Sequence, residues 1–203
     1  MSRDILIDVS YIVACVLFIF GLKMLGKADT ARRGNFISAV GMLLAVVATL
    51  IDRHIVSYEW IVVGAVVGTL IGALAAARVK MTAMPEMVAL FNGFGGLASL
   101  LVGWSEYHRH PDAGLFTMVS TALAVLIGGL TFSGSMVAFG KLAEKITGKP
   151  ILFNGQQIAN AALLLASIAC AAWVSVDPTN TYAVFMLMVV LSLLLGILAV
   201  IPI

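Results

Sequence analysis

The chain has 203 residues, of which 62% are hydrophobic and only 11% are charged. An ordinary soluble domain has roughly 45–50% apolar and about 25% charged residues. A chain this apolar has too few polar side chains to cover a surface that faces water, so a soluble globular protein is excluded and a lipid bilayer is the expected solvent. The formal net charge of +2 says little by itself, and no nucleic-acid partner is predicted.

Seven apolar segments are each long enough to cross a bilayer as a helix, which takes about 20 residues. In chain order they are about 4–25, 34–52, 58–79, 84–106, 114–141, 155–176 and 181–201. The joints between them are short and contain charged or turn-forming residues, so none can hold a soluble domain. The sequence therefore predicts an all-α fold, a polytopic transmembrane helical bundle of seven spans that forms a single domain over residues 1–203.

The positive charges are divided unequally between alternate joints, which predicts the orientation of the chain. Nine lysines and arginines belong to the first, third and fifth joints with their flanking turns: Lys23, Lys27, Arg32, Arg33, Arg78, Lys80, Lys141, Lys145 and Lys149. The opposite side has three, Arg3, Arg53 and Arg109, and together these are all twelve. The N-terminus is therefore predicted to lie outside, with the odd joints in the cytoplasm.

The fourth span carries a polar face. Pro85 and Glu86 fit the first turn of a helix, where a missing N–H and a negative charge are both tolerated. Asn92 begins a face that continues, at helical spacing, with Gly96, Ser99 and Gly103. Asn92 lies on the order of 10 Å into the membrane, at 1.5 Å per residue from Pro85. A carboxamide at that depth needs a partner, either as interhelical glue or in a hydrated path.

Small and polar residues line one face of several other spans. The fifth span has such a face in Thr117, Thr121, Ala124, Gly128, Thr131 and Ser135. It predicts either a close helix contact or the wall of a narrow, wet path. Ridges of small residues in the second and third spans predict helix packing, with Gly64, Gly68 and Gly72 in the third. In the sixth span, Asn160 and Ser167 share a face.

The sequence contains no cluster or motif of residues typical of a catalytic or metal site. No Lys, Arg, Asp, Glu or His falls at mid-membrane depth in the predicted spans. The three histidines, His54, His108 and His110, all belong to outward joints. Cys15 and Cys170 lie inside apolar runs and indicate neither a disulfide nor a metal site. No nucleotide-binding fingerprint is present. We therefore expect no catalytic, cofactor-binding or metal-binding residue in this chain, and any proton path would use amides, hydroxyls, water or a partner's titratable group.

Three stretches resemble the β-subunit membrane domain of proton-translocating NAD(P) transhydrogenases. They are ARRGNFISAVGMLLAVVATL, RVKMTAMPEMVALFNGFGGLASLLVGW and GGLTFSGSMVAFGKLAEKITGKP. The resemblance implies a part of an enzyme complex that couples proton movement across a bacterial inner membrane to hydride transfer between NAD(H) and NADP(H). Both nucleotides would bind in other domains of the complex. This chain would bind neither.

The resemblance also implies roles for individual residues. Asn92 falls where family members carry a His or an Asn implicated in proton translocation, so the proton-carrying imidazole is expected on a partner α-type subunit. Ser135 matches a serine near that channel, and Glu86 matches the acidic residue of the MPE entry. Thr131, one turn before Ser135, completes the predicted proton pathway.

The family pattern further implies partners and missing parts. An α-type subunit with membrane helices is expected, in a homodimer of αβ units, and the NADP(H)-binding domain is expected to dock on the joints at 26–33 and 142–154. The resemblance implies that the β subunit has that domain and further helices after the residues of this chain. Two other functions remain open: a small-solute transporter or channel subunit, and a structural membrane anchor for a redox complex.

Overall fold

The computed structural model describes residues 3–51, 58–177 and 181–203, with residues 3 and 4 described by their backbone only. The described residues form seven α-helices and no strand. They are α1 (Arg3–Leu25), α2 (Ala31–Ile51), α3 (Glu59–Arg78), α4 (Met84–Arg109), α5 (Leu115–Leu142), α6 (Gln156–Val176) and α7 (Tyr182–Val200), with a 3₁₀ turn (Met81–Ala83) before α4. All seven are long and apolar enough to cross a membrane, which confirms, for the described residues, the predicted all-α class and the seven helices of membrane-spanning length. The outward N-terminus stays a prediction.

Two helices extend beyond their predicted apolar segments. α2 begins at Ala31, so Arg32 and Arg33 form its first turn instead of belonging to the joint. The backbone N–H of Gly34 donates to the Thr30 carbonyl at 2.9 Å, which starts the helix before the apolar run. α4 likewise continues to Arg109. Arginine is a good helix former, and its long side chain lets a helix extend past the hydrocarbon region.

The chain divides into two compact units, Met1–Leu74 and Ala75–Ile203. In the first unit, α1 and α2 pack as an antiparallel pair through residues that recur every seven positions. The buried positions are Ile7, Ala14 and Gly21 on α1 and Gly34, Gly41 and Ala48 on α2. A Cβ added at Gly34 would lie 2.7 Å from the Gly21 carbonyl oxygen, so the two backbones touch. The predicted packing role of small residues in the second span is confirmed.

The α3 helix has no buried residue. A Cβ added at Gly64, Gly68 or Gly72 would meet no atom of the described chain within 4 Å. The small-residue ridge that predicted helix packing is therefore uncovered within the part of the chain that the structure describes.

The second unit is built around α5, which contacts α4, α6 and α7. The half near the joint at residues 110–114 has a core of large side chains, centred on Phe185 and Met188 of α7, which are both fully buried. The Phe185 ring stacks on Tyr107 with ring centroids 4.2 Å apart. It also meets Trp104 edge-on at 6.0 Å. Bulky aromatic and sulfur-containing side chains therefore fill this half of the bundle.

The other half of the second unit is packed through glycine and serine. A Cβ added at Gly96 of α4 would lie 2.7 Å from the backbone nitrogen of Phe132 and 2.8 Å from the carbonyl oxygen of Gly128. Between α5 and α7, Ser192 sits on Gly129, and Ser133 sits on Gly196. Because glycine has no side chain and serine a small one, the helix backbones approach closely. Membrane helices gain van der Waals packing energy in this way, without a hydrophobic driving force between them.

Adjacent glycines of α4 offer a matched test of this packing. Gly96→Ala should lower the melting temperature of the detergent-solubilised protein by several degrees, because overpacking against backbone atoms costs about 1–3 kcal/mol. Gly95→Ala should leave it unchanged or raise it slightly, since a Cβ there meets nothing within 4 Å. Equal melting temperatures for the two variants would contradict the close α4–α5 contact.

Candidate functional site

A hydrogen bond joins the two helices that carry the predicted polar residues. The Asn92 side-chain nitrogen Nδ2, on α4, donates to the Ser135 hydroxyl oxygen Oγ, on α5, at 2.9 Å. The Asn92 residue is exposed in this chain and Ser135 is half-buried. The pair therefore lies at the margin of the α4–α5 contact, with the carboxamide accessible from outside it.

The position of Asn92 at this margin follows from helical geometry. The buried residues of α4 are Gly93, Gly96, Leu100, Gly103 and Tyr107. Asn92 is rotated by about 100° from its neighbour Gly93, at 3.6 residues per turn. A Cβ added at Gly93 would lie 3.2 Å from the Ser135 Cβ. Glycine at this position thus brings α5 close enough for the short Asn92 and Ser135 side chains to meet.

The hydrogen bonding of Ser135 differs from that of most helical serines in the chain. Seven serines donate to carbonyls of their own helix: Ser10, Ser99, Ser120, Ser133, Ser167, Ser175 and Ser192. Such local bonds are common in membrane helices and carry no functional signal. Ser135 instead accepts from Asn92, and within the described residues its own proton and the Asn92 carbonyl oxygen have no hydrogen-bond partner. One donor and one acceptor are therefore available to water or to another subunit.

The remaining predicted pathway residues lie at different distances from this pair. Thr131 is one turn before Ser135, and a Cβ added at Gly96 would come within 2.8 Å of the Thr131 Cβ. Thr131 thus lies in the same α4–α5 contact, one helical turn from the Asn92–Ser135 pair. Glu86 is half-buried in the first turn of α4, about 9 Å along the axis from Asn92. It does not join the cluster, and no ion pair to it is present among the described residues.

Several other residues of the predicted polar faces are buried or half-buried away from the Asn92–Ser135 pair. Thr121 and Gly128 of α5 are buried against α4, which is the close helix contact that one reading of that face predicted. Ser167 of α6 is fully buried and bonds its own helix. The Asn160 side-chain oxygen Oδ1 is buried without a hydrogen-bond partner.

The described Lys, Arg, Asp, Glu and His side chains lie toward the helix ends and joints. His108 is in the last turn of α4, and His110 follows that helix and pairs with Glu106, with Nδ1 and Oε1 3.2 Å apart. His54 and Arg53 lie outside the described residues. Among the residues that are described, no three His, Cys, Asp or Glu side chains approach closely enough to hold a metal ion. The Asn92–Ser135 site therefore offers amide and hydroxyl groups only.

Sequence reasoning overlooked two features around the site. Gly93 places α5 against Asn92, and the three glycines within four residues, at 93, 95 and 96, could have indicated such an approach. Lys141 and Gln156 bind backbone carbonyls at the end of α7, at 2.6 and 3.3 Å. From the sequence, Lys141 indicates only a positive charge. The signal for the Gln156 contact is Pro202, which has no N–H to donate to the Leu198 carbonyl four residues earlier.

Comparison with known proteins assigns the chain to a family. The family model for the NAD(P) transhydrogenase beta subunit matches residues 7–203. NAD(P) transhydrogenase subunit beta of Rhodospirillum rubrum is 37% identical over 202 residues, covering 96% of this chain and 43% of that protein. A second match, to the subunit of the same name from a defined strain of that species, has the same values. The chain thus spans less than half the length of these relatives, and it belongs to the NAD(P) transhydrogenase beta subunit family.

Proposed function

We propose that this chain is the proton-translocating membrane part of an NAD(P) transhydrogenase complex in a bacterial inner membrane. In that complex, hydride transfer between NAD(H) and NADP(H) takes place in soluble domains while protons cross the helical bundle. The observation that carries the proposal is the hydrogen bond from Asn92 to Ser135, between two helices of a membrane-spanning bundle. Family membership supports the proposed enzyme class, and the Asn92–Ser135 pair supports the proposed location of the proton path.

The exposure of Asn92 is an argument for a partner subunit at the Asn92–Ser135 pair. In hydrocarbon, each polar group without a partner costs several kcal/mol, by general estimates for the bilayer core. Asn92 is exposed in this chain, and its carbonyl oxygen has no partner among the described residues. A membrane helix of an α-type subunit, with a titratable side chain and ordered water, would satisfy it. Since the cluster itself has no titratable group, that partner would carry the proton and Asn92, Ser135 and Thr131 would guide it.

Coupling would then depend on nucleotide state. The NADP(H)-binding domain would dock on the joints at 26–33 and 142–154, and the nucleotide state would shift the population of two arrangements of the path. Each arrangement would open the proton-carrying group to a different side of the membrane. Glu86, in the first turn of α4, would lie at the cytoplasmic mouth of the path. A homodimer of αβ units would form the complete enzyme.

Replacing the carboxamide tests the proposed path. In the full complex, Asn92→Leu should reduce proton-coupled turnover at least about 100-fold, because an apolar side chain can neither bind Ser135 nor order water. Hydride exchange between bound nucleotides, which needs no net proton movement, should continue. The two reactions are measured on the same membranes, together with the pH change in sealed vesicles.

Two serines of α5 provide the matched comparison. Ser135→Ala should lower coupled turnover, whereas Ser120→Ala should not, because Ser120 is exposed and bonds the carbonyl of Phe116 in its own helix. Full proton pumping by Asn92→Leu would remove Asn92 from the mechanism. Tolerance of both Asn92→Leu and Ser135→Ala would favour a structural membrane anchor.

The proposed orientation is tested by labelling. In a variant without Cys15 and Cys170, Asp112→Cys in the joint between α4 and α5 should react with a membrane-impermeant maleimide on intact cells with the outer membrane permeabilised. Asp29→Cys, in the joint between α1 and α2, should react only in inverted vesicles, because basic joints stay in the cytoplasm. Both positions are exposed, so burial does not limit the reaction. The reverse pattern would overturn the outward N-terminus.

A further inference from the structure

The C-terminal turn of α7 has a carbonyl that its own helix cannot satisfy. In an α-helix the Leu198 carbonyl would accept from the backbone N–H of residue 202, but that residue is Pro202 and has no N–H. The Gln156 side chain, at the start of α6, supplies the missing donor: its Nε2 donates to the Leu198 oxygen at 3.3 Å. Gln156 is only 8% exposed, so this bond is shielded from competition.

Two further groups bind the same turn. The Lys141 ammonium, in the last turn of α5, donates to the Ile201 carbonyl at 2.6 Å and approaches the Val200 carbonyl at 3.4 Å. A cation at a helix C-terminus is favoured by the helix dipole as well as by hydrogen bonding. The backbone N–H of Ile151, within the joint between α5 and α6, donates to the Ile201 carbonyl at 3.3 Å. The end of α5, the joint and the start of α6 therefore all bind one turn of α7.

This turn also connects to the polar pair through close packing. Gly196 of α7 lies one turn before the C-terminal turn and packs against Ser133 of α5. Ser192, one further turn toward the start of α7, packs against Gly129 of α5. Ser133 is two residues from Ser135, which accepts the hydrogen bond from Asn92. A shift of α7 relative to α5 cannot be absorbed by side chains at these contacts, since serine and glycine leave no flexible atoms to move. Contacts therefore lead from residue 151 through α7 to Ser133, and the α5 backbone joins Ser133 to Ser135.

We infer that Lys141 and Gln156 are positioning residues, which bind the last turn of α7 from the two helix ends that flank the joint at 143–155, so that displacement of that joint reaches the Asn92–Ser135 pair. The inference rests on the proposed proton-coupling function and adds a route for the coupling. Neither residue touches the proton path itself. Both act through α7 and its packing on α5.

Backbone hydrogen exchange tests the attachment without measuring transhydrogenase activity. In the full complex, Lys141→Met and Gln156→Leu should each raise exchange at the amides of 143–155 and the last turn of α7 by roughly tenfold, as expected when one buried hydrogen bond is lost. Lys141→Arg should preserve protection, because a guanidinium still reaches the carbonyls. Unchanged exchange in both loss variants would overturn the attachment.

A second substitution distinguishes lost positioning from general damage. Pro202→Ala restores a backbone N–H that can donate to Leu198, so adding it to Gln156→Leu should recover most of the lost protection. The same double variant should recover proton-coupled turnover, which we expect to fall about tenfold in Gln156→Leu while hydride exchange between bound nucleotides persists. Failure of Pro202→Ala to restore either quantity would overturn the role assigned to Gln156.

The two readouts separate this inference from the proposed function. Altered hydrogen exchange with full proton coupling in Lys141→Met and Gln156→Leu would overturn the positioning role, while the proton path remained supported by loss of pumping in Asn92→Leu. Conversely, full pumping by Asn92→Leu would remove the proposed path whatever the exchange results. We expect Lys141→Met and Gln156→Leu to lose proton coupling. We expect Lys141→Arg and the double variant Gln156→Leu, Pro202→Ala to keep it.

Discussion

The close approach of α4 and α5 is the constraint on which the rest of the site depends. At Gly96 and Gly128 the two backbones are separated by less space than a methyl group needs. Only at such a distance do side chains as short as Asn92 and Ser135 meet across two helices, at 2.9 Å. Because the carboxamide is at the margin of this contact and not within it, one side of it is fixed by α5 while the other remains open to a further subunit.

The second unit combines two kinds of packing, with large side chains in one half and close backbone contacts in the other. Aromatic and methionine side chains fill the half near the joint at 110–114, where Phe185 stacks on Tyr107. Glycine and serine fill the other half, where α4 and α7 both approach α5. A core of large side chains gives a rigid base through dispersion and area burial. Close backbone contacts in the opposite half transmit small displacements, which is what coupling to a docked domain would require.

The sequence predicted the spans well because bilayer thickness and hydropathy constrain them directly. Helix ends were predicted less well, since Arg32 and Arg33 extend α2 beyond its apolar run. The faces of Asn92 and Ser135 followed from helical periodicity, but their direct bond did not, because periodicity gives no relative rotation of two helices. The contacts of Lys141 and Gln156 with α7 join residues 42 to 60 positions apart, and only Pro202 hinted that they were needed.

The central claim is that Asn92 and Ser135 act as one element of a proton path. A double-mutant cycle on the full complex measures this most directly, with proton-coupled turnover determined for wild type, Asn92→Ser, Ser135→Ala and the double variant. If each single substitution lowers the rate about tenfold, the double variant should also be only about tenfold slower, because either change already breaks the shared bond. A loss of about 100-fold in the double variant, the product of two independent effects, would contradict the claim.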